Sequence, residues 1–203
     1  MGALRRWFGP SRHEIWRQVS AEINGRYTQR AFGRHDKIHA THGEWTVTLD
    51  THVVPAGKAV IVYTRMRAPY VNRDGFRFTI CRRGLFSEIA KWFGLQDIEI
   101  GDESFDKDFI IKGTNEAQVR TLLLNPRVRE LIALQPDITF TVKDDEGWFG
   151  PHFPQGVDEL QFTVIGVIKD VERLKLLFEL FSETLDQLCR IGSAYEQAPD
   201  VTV

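Results

Sequence analysis

Trp45-Thr46-Val47-Thr48-Leu49-Asp50 alternates apolar and polar residues without a break. That period of two marks a strand with one dry and one polar face. The period returns in Phe76-Arg77-Phe78-Thr79-Ile80, in Ile138, Phe140 and Val142, and in Leu160, Phe162 and Val164. Ala59 to Arg67 is a further β-rich run, set off by the turn Pro55-Ala56-Gly57. Phe109 to Lys112 reads as a short strand. Strands with one polar face belong to antiparallel sheets. Asp74-Gly75 is a turn dipeptide, which predicts the strands on either side of it to be hairpin neighbours.

Helical spacing appears between these runs. Ser11-Arg12-His13-Glu14 is a capping box, followed by the stripe Trp16, Val19 and Ile23, which predicts a helix within 10–26. Leu85 to Phe93 reads as a short helix stopped by Gly94. Thr114-Asn115 caps a helix carrying Val119, Leu122 and Leu123, and Asn125-Pro126 restarts it with proline at the favoured first position. Asp102-Glu103 and Asp106-Lys107-Asp108 read as a solvated turn. Asp170 caps the clearest element, a helix to Ile191 stopped by Gly192, about 33 Å long at 1.5 Å per residue. Helices that gather around strands without alternating with them make an α+β fold. The expectation is a single domain over 1–203, with a mainly antiparallel sheet of six to eight strands over 35–168. Short helices are inserted in the sheet region, and a C-terminal amphipathic helix (170–191) packs on it.

The charge is divided along the chain. Residues 1–91 carry sixteen Lys and Arg against seven Asp and Glu, and residues 92–203 carry ten against twenty-one. The near-neutral total of −2 hides this asymmetry, which points to anionic partners or electrostatic docking. A sequence pI near 6.3 disfavours nucleic acid as the partner. Two cysteines, Cys81 and Cys189, form no metal or redox motif and suit the cytoplasm. The longest apolar runs fall far short of the ~18 residues a membrane span needs. Met1-Gly2-Ala3-Leu4-Arg5-Arg6 lacks the apolar stretch of a signal peptide, so a soluble protein is expected.

Three blocks carry a resemblance: Thr64-Arg65-Met66-Arg67-Ala68-Pro69-Tyr70, Asp144-Asp145-Glu146-Gly147-Trp148-Phe149-Gly150, and Gly166-Val167-Ile168-Lys169-Asp170-Val171-Glu172-Arg173-Leu174. Across residues 45–190 the chain resembles a family of uncharacterised bacterial proteins of the domain-of-unknown-function kind. The resemblance implies a soluble, stand-alone bacterial protein and no particular activity.

Three groups of residues are candidates for chemistry. Arg65 and Arg67 share one face of their strand, and Arg77 is expected to point outward with them. Arginine forks suit carboxylates and phosphates. Either these form an anion-binding face, or they pair with the acidic half of the same chain, and the opposite charge present in cis favours the second reading. The loop from Asp144 to Glu159 interleaves five carboxylates with Trp148, Phe149, His152 and Phe153. Its sixteen residues exceed the usual hairpin connection. It suits a cationic ligand or basic peptide, or folds back over the core edge. The third group is a cross-strand set of His39, Asp50 and His52, a weak candidate for a metal ion beside the default of solvated residues on a sheet face. No GxSxG, P-loop or GxGxxG pattern is present and no cofactor is expected. The favoured reading is a non-catalytic binding or protein-interaction module for an anionic ligand or a protein. The alternatives are a metal-dependent hydrolase using the His/Asp set and His152, and an adaptor that forms homo-oligomers through the C-terminal helix.

Overall fold

The computed structural model describes residues 10–29, 36–84, 97–144, 153–201 and 203. The helix expected over 85–93, and Trp148, Phe149 and His152, lie outside the described residues.

The first helix, α1 (Arg12–Glu22), starts at the expected capping box. The Ser11 hydroxyl accepts from the Glu14 amide, and the Glu14 carboxylate accepts from the Ser11 amide. Strands β1 (Arg26–Thr28), β2 (Lys37–His42), β3 (Trp45–Ala56), β4 (Ala59–Asn72) and β5 (Phe78–Arg82) follow. Next come helix α2 (Glu103–Asp108), β6 (Phe109–Gly113), and helices α3 (Glu116–Leu124) and α4 (Pro126–Ala133). The chain closes with β7 (Thr139–Lys143), β8 (Val157–Ile165), α5 (Val171–Arg190) and β9 (Ala194–Tyr195). All the pairings are antiparallel, in the order β1-β2-β3-β4-β8-β7-β5-β6, with β9 added at the end of β4. The expected α+β class is therefore observed, with nine strands among the described residues.

One connection differs from the expectation. β4 and β5 are not hairpin neighbours: β8 and β7 lie between them. Both edges of β4 are already taken, by β3 from Thr48↔Arg67 to Ala56↔Ala59 and by β8 from Tyr63↔Ile165 to Val71↔Val157. The turn after β4 is wound around Asn72. Its Oδ1 accepts from the amides of Asp74 and Gly75, and its Nδ2 donates to the Phe76 carbonyl at 3.1 Å. Such an Asx turn leads the chain away from the sheet instead of doubling it back.

The acidic stretch at 102–108 is a short helix and not a solvated turn. The Asp102 side chain caps it by accepting from the Phe105 amide. The Asp106 carboxylate accepts from the amides of Ile100 and Gly101, each at 2.9 Å. Phe105 is buried and stacks on Phe109, ring centroids 4.4 Å apart.

The helices cover one face of the sheet. Leu49, Met66, Phe162, Phe140 and Ile80, alternate residues of five strands, are fully buried there. α5 presses Leu174, Leu177, Leu180, Phe181, Leu185 and Leu188 into the same core, all at 0% exposure. The rings of Phe140 and Phe181 meet edge-on at 5.6 Å. Each such side chain contributes about 1.5–3 kcal/mol by leaving water. Trp16 is fully buried and donates its indole N–H to the Ile168 carbonyl, tying α1 to the β8–α5 connection. The apolar stripe of α5 is thus covered within the chain. Among the described residues, no helix is long and apolar enough to cross a membrane.

Candidate ligand site on the polar face of the sheet

Side chains alternate faces along a strand, so the residues between the core positions form the second face of the sheet. The register aligns them into a polar row: Arg26↔His39↔Thr48↔Arg67↔Gln161↔Thr141↔Thr79. A neighbouring row holds Asp50↔Arg65↔Thr163↔Thr139. The sequence pattern predicts this face to be wet. It is polar, but much of it is dry: Thr48 is 1% exposed, Asp50 3%, Arg67 3% and Gln161 4%. Buried polar groups need hydrogen bonds to be tolerated, and side chains on this face bond to one another in separate groups. The hydroxyls of Thr79 and Thr141 meet at 2.7 Å. Lys143 donates to Gln161, which donates to Glu159 at 3.0 Å.

At the centre, one carboxylate serves two guanidinium groups. Arg65 grips Asp50 through Nε at 2.9 Å and Nη2 at 3.0 Å, and Arg67 donates Nη2 to Asp50 Oδ2 at 2.8 Å. Burial alone would raise the Asp50 carboxyl. The Arg65 hydrogen bonds and the charges of Arg67, Arg65 and Lys37 outweigh it and hold the group below its ordinary value. Arg65 and Arg67 therefore do pair within the chain, but with an acid from their own basic half.

Arg77 is placed elsewhere. It donates Nε to Asp158 at 3.2 Å and Nη1 to Asp144 at 2.8 Å, at the mouth of the 144–156 connection. The structure brings Arg65 and Arg67 together and does not bring Arg77 to them. Arg77, and Arg82 with Asp108, join the basic half to the acidic half.

His39 and His52 lie on the same polar face as Asp50. The His39 Nδ1 sits 3.1 Å from the Thr48 hydroxyl, and Asp50 is engaged by the two arginines. Among the described residues, no three His, Cys, Asp or Glu side chains are grouped to hold a metal ion. Cys81 is buried, and burial pushes its thiol up to about 11, far from the range of a reactive thiolate.

A cavity of about 870 Å³ opens where β1, β2 and β3 present this face. Its sheet wall is Arg26, Thr28, Lys37, His39, Thr41, Thr46, Thr48 and Pro69, and Glu44 of the β2–β3 turn closes one end. Every strand residue in that wall belongs to the polar alternation. Lys37 stands at one end of β2 and Thr41 toward the other, four residues on. At about 3.3 Å per residue the wall is some 13 Å long, with Lys37 at one end, Arg26 level with His39 at its middle, and the Glu44 carboxylate beyond the other end. The opposite wall is the chain's own segment Ala198 to Val201 with Val203.

No family model, curated protein or solved structure matches the chain.

The site therefore stands on its geometry. Sequence reasoning missed Arg26, Lys37 and the threonine hydroxyls. Lys37, His39 and Thr41 alternate as clearly as Thr46, Thr48 and Asp50, and pairing these two runs through the Gly43-Glu44 turn would have placed them side by side.

Proposed function

We propose that this chain is a binding module that takes an anionic ligand in the cavity on its polar sheet face. One observation carries the reading. A concave volume of about 870 Å³, within the range of small-molecule sites, is lined by Arg26, Lys37 and His39 among four threonine hydroxyls, with Glu44 at one end and Asp200 on the opposite wall. Arginine and lysine supply charge and forked donors for a carboxylate or phosphate, and the hydroxyls satisfy the remaining oxygens. Thr48, buried and linked to His39, fixes one wall so that little side-chain freedom is lost on binding. The two thiols are unbridged, which supports a working place in the reducing cytoplasm. If copies of the chain associate, they do so through a surface other than the stripe of α5.

Isothermal titration with pyrophosphate and with citrate tests the reading. Saturable binding is expected at 20 mM salt and tenfold or more weaker at 300 mM, since partly exposed charges are screened. The pair Arg26→Ala with Lys37→Ala should weaken binding by about tenfold or more. Absence of saturable binding by both probes, or binding indifferent to salt and to the pair of substitutions, would overturn the proposal.

A further inference from the structure

Residues 198–201 and 203 of the chain line the cavity, and their placement says what kind of ligand it takes. After β9 the Gln197 amide donates to the Tyr195 carbonyl at 2.9 Å. Pro199 then removes a donor, and Asp200 turns the backbone through the left-handed region at φ +52°. The segment next lines the cavity with Pro199, Asp200, Val201 and Val203. Ala198 and Asp200 are exposed, and Pro199, Val201 and Val203 are half-buried.

We infer that the cavity is a peptide groove, built for an extended, acid-bearing segment of a partner protein, with residues 198–201 and 203 as the occupant in cis that such a segment displaces. The inference rests on the reading of the cavity as an anion site and narrows its ligand. Three features carry it. The wall is elongated, some 13 Å along β2 with Glu44 beyond, which matches four to six extended residues and not a compact ion. Lys37 at one end and Arg26, level with His39 at the middle, take a carboxylate, while Glu44 beyond the other end repels one and so sets the direction of the chain. The threonine hydroxyls between them can donate to or accept from a peptide main chain. The resident segment has this chemistry, with one acid, Asp200, between Pro199 and the β-branched Val201.

Fluorescence anisotropy with a labelled peptide Ala-Pro-Asp-Val-Thr-Val, the sequence of residues 198–203, tests the inference on the full chain. Asp200→Lys adds a third cation to the lining that already holds Arg26 and Lys37 and should loosen the resident segment. This variant should bind the peptide at least tenfold more tightly than the unchanged chain. Adding Lys37→Ala should cost about tenfold, as should alanine for aspartate in the peptide. A chain ending at Gln197, checked for folding by circular dichroism, should bind as well as Asp200→Lys or better. Equal binding by the unchanged chain and Asp200→Lys, or none by either, would overturn the inference. If pyrophosphate or citrate binds and the peptide does not, the groove falls and the anion site stands. If the peptide binds and both small anions fail, the groove stands and the small-anion reading falls.

Discussion

Replacing Asp50 by asparagine keeps the shape of the side chain and removes its charge. The Asp50 and Arg67 side chains are each 4% exposed and Arg65 is 13% exposed, so three charge-assisted hydrogen bonds converge in a nearly dry place. Asparagine leaves two guanidinium groups facing one neutral oxygen and an amide donor. Breaking a buried ion pair from one side costs about 3–5 kcal/mol, because the remaining charge stays desolvated. At about 2–4 °C per kcal/mol for a chain of this size, the melting temperature should drop by roughly 6–20 °C. Urea unfolding followed by tryptophan fluorescence measures the loss directly. Its pH dependence adds a second constraint. The folded Asp50 carboxyl lies below its ordinary value, so its stabilisation is present above the unfolded value of about 3.9 and fades as pH falls through the lower folded value. The gap between parent and variant should therefore be constant from pH 5 to pH 8 and close below about pH 4. A loss under 1 kcal/mol, typical of exposed pairs, would refute the view that this face is a desolvated network.

Two further outcomes follow from the packing. Leu177 is fully buried in the stripe of α5, so Leu177→Ala should cost about 2–5 kcal/mol in urea unfolding; a neutral result, or a folded Leu177→Asp, would mean the stripe is not core. Cys81 is buried with its thiol pushed up to about 11, so at pH 8 it should react with a disulfide reagent about 100-fold more slowly in the native protein than in urea; rapid native labelling at Cys81 would contradict its placement.

The fold was legible wherever a period or a cap is written in adjacent residues. Asn115, Asn125 and Asp170 each cap the helix that follows, as their side chains predict. β7 and β8 pair across Lys143↔Glu159, as the alternation on both sides of the 144–156 connection requires. What local pattern cannot encode is which strand lies beside which. The Asp74-Gly75 dipeptide is a turn, but β4 had no free edge for β5, and edge saturation is a property of the whole sheet. Likewise, polar alternation identified Arg65 and Arg67 as facing away from the core, yet said nothing of their dryness. That depends on Asp50, fifteen residues back in sequence and directly opposite Arg65 in register. The short β1 and β9 carry too few residues to show a period at all.

A dry polar face beside a wet cavity has a consequence for recognition. Asp50 orients Arg67; Arg67 is the register partner of Thr48; and the Thr48 hydroxyl meets the His39 ring that lines the cavity. The hydrogen-bonded pair His39–Thr48 at the cavity wall therefore lies next, in register, to the Asp50–Arg67 ion pair. Groups held in this way lose little freedom when a ligand arrives, so more of each contact appears as affinity. A buried polar network is costly unless every member is satisfied, and a sheet needing only stability could cover this face with aliphatic residues at lower risk. Holding charged groups ready at the edge of a cavity is a use that an aliphatic layer could not serve. The side chains that make the face dry thus stand directly behind the wall of the proposed site.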